Sequence, residues 1–134
     1  MRLLPLALVF PLLVSAALAD GPAAGSELIG TSWRLQQLAG AEVAATVETT
    51  LNIDADGIGG RGGCNSYGGG FEPRPDGIAF TQVFSTMMAC PEPAMGQEQA
   101  WLAALENTQG YRLEGTTLTL LAGDGSPLAT LTAL

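Results

Sequence analysis

The sequence predicts a mainly β domain of α+β class: a small antiparallel barrel of seven or eight strands, with one α-helix inserted before the last three. Three observations predict it. Apolar residues alternate with a period of two through most of the chain beyond residue 30. Gly-containing turn signals separate the alternating runs, and only one stretch carries helical spacing.

The first strand is "TSWRLQQL", residues 31–38, with Trp33, Leu35 and Gln37 on one side and Arg34, Gln36 and Leu38 on the other. "VETTLNID", residues 47–54, alternates Val47, Thr49, Leu51 and Ile53 against Glu48, Thr50, Asn52 and Asp54, the cleanest strand pattern in the chain. "DADG", residues 54–57, supplies hairpin chemistry. Asp54 and Asp56 have the spacing of two calcium-loop ligands, but the positions after them lack oxygen side chains, so a turn is the reading.

The return limb, "IGGRGGCNSYGGGFEP", is rich in glycine. Glycines in strands mark bulges, bends or close backbone approach, so strongly bent strands are expected around Cys64 and Tyr67. After the "PDG" turn at 75–77, "IAFTQVFSTMMAC" reads as a strand carrying Ile78, Phe80 and Gln82, then Phe84, Thr86 and Met88. Pro91 and Pro93 separate it from the helix "AMGQEQAWLAALEN". There Ala94, Trp101, Leu102 and Leu105 share a face, Glu98 and Gln99 are expected outside, and Asn107 stands near the stop. "YRLEG", "TTLTLLAG" and "SPLATLTAL" complete the strands, divided by Gly115 and by the hairpin signal "AGDGSP". So long a sheet in so short a chain must curl or close to protect its edges.

The opening "MRLLPLALVFPLLVSAALAD" has a cationic Arg2, an apolar run and a small-x-small ending at Ala17, Leu18 and Ala19. It reads as a signal peptide over residues 1–19, followed by a flexible leader over 20–29 and the domain over 30–134. A retained anchor is the rival reading, disfavoured by Pro5, Pro11 and the shortness of the run. Residue 20 is Asp, so the lipid-modified cysteine of a bacterial lipoprotein is missing. A soluble protein of the periplasm or the secreted fraction is expected.

The chain carries 5 arginines and no lysine against 13 acids, a net charge of −8. No basic patch can form, which argues against nucleic acid as a partner. With no histidine either, the usual general base, nitrogen ligand and amine nucleophile are all missing.

Cys64 and Cys90 admit three uses. An even pair in an exported chain favours a disulfide, and the closed loop of about 25 residues would be worth on the order of 3 kcal/mol in the chain-entropy model. A nucleophilic Cys64 would need a lowered pKa, for which Arg61 is the one cation near it in sequence. A soft copper site could draw on Met87, Met88, Cys90 and Met95, against the alternative that these methionines pack a core under the helix. Paired carboxylates for glycoside cleavage depend on the fold, and a solvated face explains most of the acids. Trp33, Trp101 and Tyr67 could line a ligand cavity, but most of the seven aromatic residues after the signal peptide are expected in the core.

Taken together, "GTSWRLQQLAG", "GCNSYGGGF", "FSTMMACPEPAMGQEQAWLAAL" and "YRLEGTTLTLLAGDGSPLATL" resemble the META-domain, or HslJ-like, family over about residues 30–134. The resemblance implies a lipocalin-like barrel with one helix, an envelope or secreted setting, and a disulfide between Cys64 and Cys90. It also implies a link to heat shock and other stress, and it supplies no catalytic residues and no cofactor.

The expected function is therefore that of a monomeric, non-enzymatic envelope protein binding a partner protein or envelope component. The alternatives are a carrier of a small apolar ligand and, third, a copper-binding protein. A filled barrel with an exposed apolar patch would favour the first, and an enclosed cavity beside Trp33 or Trp101 the second.

Overall fold

The computed structural model describes residues 24–134, with Pro5 alone before them; the segment read as a signal peptide and the start of the leader lie outside the described residues. Alternating runs become strands β1 (Thr31–Leu38), β2 (Ala41–Glu42), β3 (Thr50–Asp54), β4 (Gly57–Arg61), β5 (Ser66–Arg74) and β6 (Gly77–Ser85). Helix α1 (Ala94–Asn107) follows, then β7 (Gly110–Glu114), β8 (Thr117–Leu121) and β9 (Pro127–Ala133). Every pairing is antiparallel, in the order β6-β5-β4-β3-β1-β9-β8-β7, with the two-residue β2 added beside β1. The sheet curls into a half-barrel of lipocalin-like α+β type, with its single helix before the last three strands.

This order leaves β6 and β7 as the two edges, and α1 is the connection between them. The edges meet at one end, where the Ile78 amide donates to the Gln109 carbonyl at 3.1 Å. Beyond that point the helix packs against β6, β9 and β1, so a row of unpaired backbone groups is covered rather than offered to another chain.

Period-two burial places Trp33, Leu35, Leu51, Ile53, Leu118, Leu120 and Leu131 inside one cluster, which Trp101 and Leu105 of the helix complete. Burial of such side chains is worth about 1.5–3 kcal/mol each, and this is the main favourable term holding the sheet curved. The "DADG" stretch is a two-residue hairpin, pairing Asp54 with Gly57. Of the segment read as a leader, Ser26–Leu28 form a 3-10 turn whose Leu28 is fully buried.

Three sequence expectations are corrected. β6 ends at Ser85, and residues 86–90 are irregular rather than strand. Within β6 the register shifts opposite Gly69, where Gln82 has a φ of 49°, and the extra residue turns Phe84 outward although it was expected with the core. On the helix, Gln99 is exposed as expected but Glu98 is buried. Glu98 lies three residues before Trp101 and four after Ala94, on the inward face; its charge misled the reading and its spacing did not. Among the described residues no helix is long and apolar enough to cross a membrane.

Candidate functional site

Where the sheet bends after β4, residues 62–65 form a tight loop closed by the Gly62 amide donating to the Asn65 carbonyl at 2.8 Å. Two segments converge on this loop: the irregular run 86–93 that leaves β6, and the first turns of α1. Cys64 is disulfide-bonded to Cys90, with their Cα atoms 5.9 Å apart, so the first of the three readings of these cysteines holds. A thiol nucleophile is excluded, and the sulfur that a copper site would draw from Cys90 is committed to the bridge.

Beneath the bridge sits Glu98, 3% exposed. Its Oε1 accepts from the Cys64 amide at 3.1 Å and from the Asn65 amide, and its Oε2 accepts from Asn65 Nδ2 at 2.7 Å. A buried carboxylate is costly unless its charge is met by donors, and here three N–H groups take the place of a cation. The ion pairs among the described residues, Arg34–Glu48, Arg74–Glu72 and Arg112–Glu114, all lie on the surface. Gly62 has to lack a side chain, because a Cβ there would lie 2.8 Å from Glu98 Cγ and Oε1.

Asn65 carries the contact onward. Its Oδ1 accepts from the Met88 amide at 2.7 Å and from Thr86 Oγ1 at 3.0 Å, and its Nδ2 also donates to the Met88 carbonyl at 3.0 Å. One side chain thus holds both backbone groups of Met88. Beside Glu98 on the helix, Gln97 does similar work: it accepts from the Ala44 amide at 3.2 Å and donates to Thr49 Oγ1 at 2.9 Å.

The result is a clamped backbone with side chains turned to solvent. Met87 is 96% exposed, Met88 63% and Phe84 68%. The expectation that the methionines pack a core under the helix therefore fails for Met87 and Met88; only Met95, on α1, is half-buried. Phe84 lies against Gly68 on the outer face of the sheet, where a Cβ would come within 2.7 Å of its ring. Asn65, Met87, Met88, Met95, Glu98 and Leu102 border an open recess of about 270 Å³.

The aromatic residues considered for ligand binding lie elsewhere. Trp33, Trp101 and Tyr67 belong to the central cluster. Trp33 Nε1 donates to Thr31 Oγ1 at 2.8 Å, and the Tyr67 hydroxyl donates to the Thr50 carbonyl. Tyr67 and Trp101 meet edge to face with centroids 6.3 Å apart, while Trp101 Nε1, fully buried, has no acceptor in hydrogen-bond geometry. Burial pushes the Tyr67 phenol far above the ordinary tyrosine range, and the neighbouring Trp101 indole offsets this only in part. No group of three or more His, Cys, Asp or Glu among the described residues is placed to hold a metal ion.

Sequence reasoning identified the bridge but missed Glu98 and the span of Asn65. Asn65 follows Cys64 directly in the sequence. Its position next to the half-cystine was the available signal, and the partner it reaches 23 residues away is set by the fold.

The META domain family matches residues 26–133. A protein from Burkholderia xenovorans, solved by NMR, is 25% identical, covering 90% of this chain and 94% of that one, with a TM-score of 0.67. A second NMR structure, 18% identical over 79% of this chain and 91% of that one, shares the fold with a TM-score of 0.62. No protein of curated function matches the sequence.

Proposed function

The chain belongs to the META-domain family, and from that premise we propose that it is an exported, monomeric, non-catalytic binding module. It acts in the cell envelope under stress by engaging a partner protein through the surface made by Phe84, Met87 and Met88. The observation that carries this reading is the pairing of a rigid backbone with exposed apolar side chains. Asn65 and the Cys64–Cys90 bridge hold residues 86–90 in place, while Phe84, Met87 and Met88 face solvent. Large apolar groups presented on a pre-ordered segment bind with little ordering cost, and methionine adapts to varied partner surfaces. The apolar leading segment, read as a signal peptide, supports export.

The carrier reading is weaker because Tyr67 and Trp101 pack edge to face and Trp33 is buried in the same core cluster. The test is a photo-crosslinking amino acid placed at Met87 in the native host, with the exposed Asp124 turn as the control site. A discrete protein adduct at Met87, absent at Asp124 and lost in Phe84→Ser/Met88→Ser, is expected. Equal labelling at both sites would overturn the docking surface. A small organic mass retained in the native mass spectrum of the exported protein would transfer the reading to a carrier.

A further inference from the structure

We propose that Met87 and Met88 form a modification site for peroxides, at which the thioethers are converted to methionine sulfoxides while the domain stays folded. This inference does not depend on partner docking. It rests on which oxidisable groups of the folded chain meet solvent.

Among the described residues the competing groups are withdrawn. Both cysteines are in the disulfide. Trp33 and Trp101 are buried, and Met95 is half-buried against the helix surroundings. Met87 and Met88 are the described residues whose two-electron-oxidisable sulfur belongs to a side chain mostly exposed to solvent. A lone pair on the thioether sulfur attacks one oxygen of hydrogen peroxide. The S–O bond forms as the O–O bond breaks, and the departing hydroxide takes up the remaining proton to leave as water. Sulfur is oxidised by two electrons and the peroxide reduced by two, so no further reactant is needed. Sulfoxide is reversible by methionine sulfoxide reductases, which makes the site one that can be reset.

The fold tolerates the added oxygen for a structural reason. The Met88 backbone is held by Asn65 through its amide and its carbonyl. The clamp acts on atoms that oxidation does not touch, and the oxidised sulfurs project into water. A buried methionine would instead carry a polar, enlarged group into packed surroundings.

The test is a hydrogen peroxide time course on the intact protein, with sulfoxide located by tandem mass spectrometry and thermal unfolding followed in parallel. Met87 and Met88 are expected to oxidise at least about fivefold faster than Met95, in line with exposure. The melting temperature after both have reacted is expected to stay within about 2 °C of the starting value, because no packed contact is lost. A Met87→Leu/Met88→Leu variant should fold normally and lose the fast phase of oxygen uptake. Oxidation of Met95 as fast as either exposed residue, resistance of either to peroxide, or unfolding once the pair has reacted would each overturn the proposal.

Discussion

Glu98 on the helix and Asn65 in the loop after β4 are joined twice, once through the Asn65 backbone amide and once through its side-chain Nδ2 at 2.7 Å. This relationship fastens the helix to the loop that carries the disulfide. Because Asn65 also holds Met88, the same pair determines where the exposed methionine segment lies.

Glu98→Gln tests the pair with almost no change of volume. The amide keeps an oxygen for the Cys64 and Asn65 amides but presents an N–H₂ to Asn65 Nδ2, so two donors face each other in a buried site. Turning Asn65 over would only move the conflict to the Met88 amide. Leaving buried donors unmatched costs about 1–3 kcal/mol, which for a domain of this size lowers the melting temperature by roughly 4–13 °C. Thermal unfolding by circular dichroism measures it, and a change below about 1 °C would mean that the network is not under tension from the missing acceptor.

Removing the bridge should act mainly on the unfolded chain. Cys64 and Cys90 are 26 residues apart, and a loop of that size confers on the order of 3 kcal/mol in the chain-entropy model. Cys64→Ser/Cys90→Ser is therefore expected to retain the native circular dichroism spectrum at room temperature and to unfold at a clearly lower urea concentration, with an m-value no smaller than the parent's because the uncrosslinked unfolded chain exposes more surface. An unchanged urea midpoint would show that Glu98 and Asn65 suffice without it.

The fold was largely legible in the sequence, because period two, Asp-Gly turns and one helical stretch are local signals that the sheet obeys: β1 and α1 appear over the predicted residues. What was not legible depends on contacts between distant elements. The bulge at Gln82 inverts the faces of β6 after it, so Phe84 could not be assigned from alternation alone. Glu98 was read as surface because carboxylates are usually solvated, and its donors come from residues 33 and 34 positions away. The methionine run could be read as core or metal ligand, yet its exposure follows from a strand that stops at Ser85.

The alkaline limb of the stability curve should belong to tyrosine. The chain has no lysine or histidine, and both cysteines are oxidised, which leaves Tyr67 and Tyr111 as the side chains that titrate there. Burial raises the Tyr67 phenol. Tyr111 is raised as well, by burial first and then by its hydrogen bond to Glu27. A raised folded value means that the folded state keeps its proton when the unfolded chain has lost it. The contribution is complete below about pH 10, the ordinary tyrosine value, and is lost as pH climbs from there toward the folded value. Urea midpoints are expected to be flat from pH 8.5 to about 10 and to fall above it, with a shallower fall in Tyr67→Phe. A midpoint that does not fall, or a Tyr67→Phe slope equal to the parent's, would contradict this assignment.

The seam between the two sheet edges makes the last prediction, from two glycines that face each other across it. A Cβ on Gly77 would lie 2.0 Å from the Gln109 carbonyl oxygen, whereas one on Gly110 meets nothing nearer than Leu121 Cβ at 4.0 Å. The oxygen that Gly77→Ala would strike is the one that accepts from the Ile78 amide. That substitution must therefore push the edges apart and weaken the backbone bond from Ile78 to Gln109 that joins them. Overpacking of this kind costs about 1–3 kcal/mol, and the Ile78 amide should lose protection in hydrogen exchange to a greater degree than amides of β8. Gly110→Ala has room, so it should leave stability unchanged or raise it by up to about 1 kcal/mol through the unfolded chain. If both substitutions behave alike, the edges are not in contact in solution and the half-barrel is open at that end.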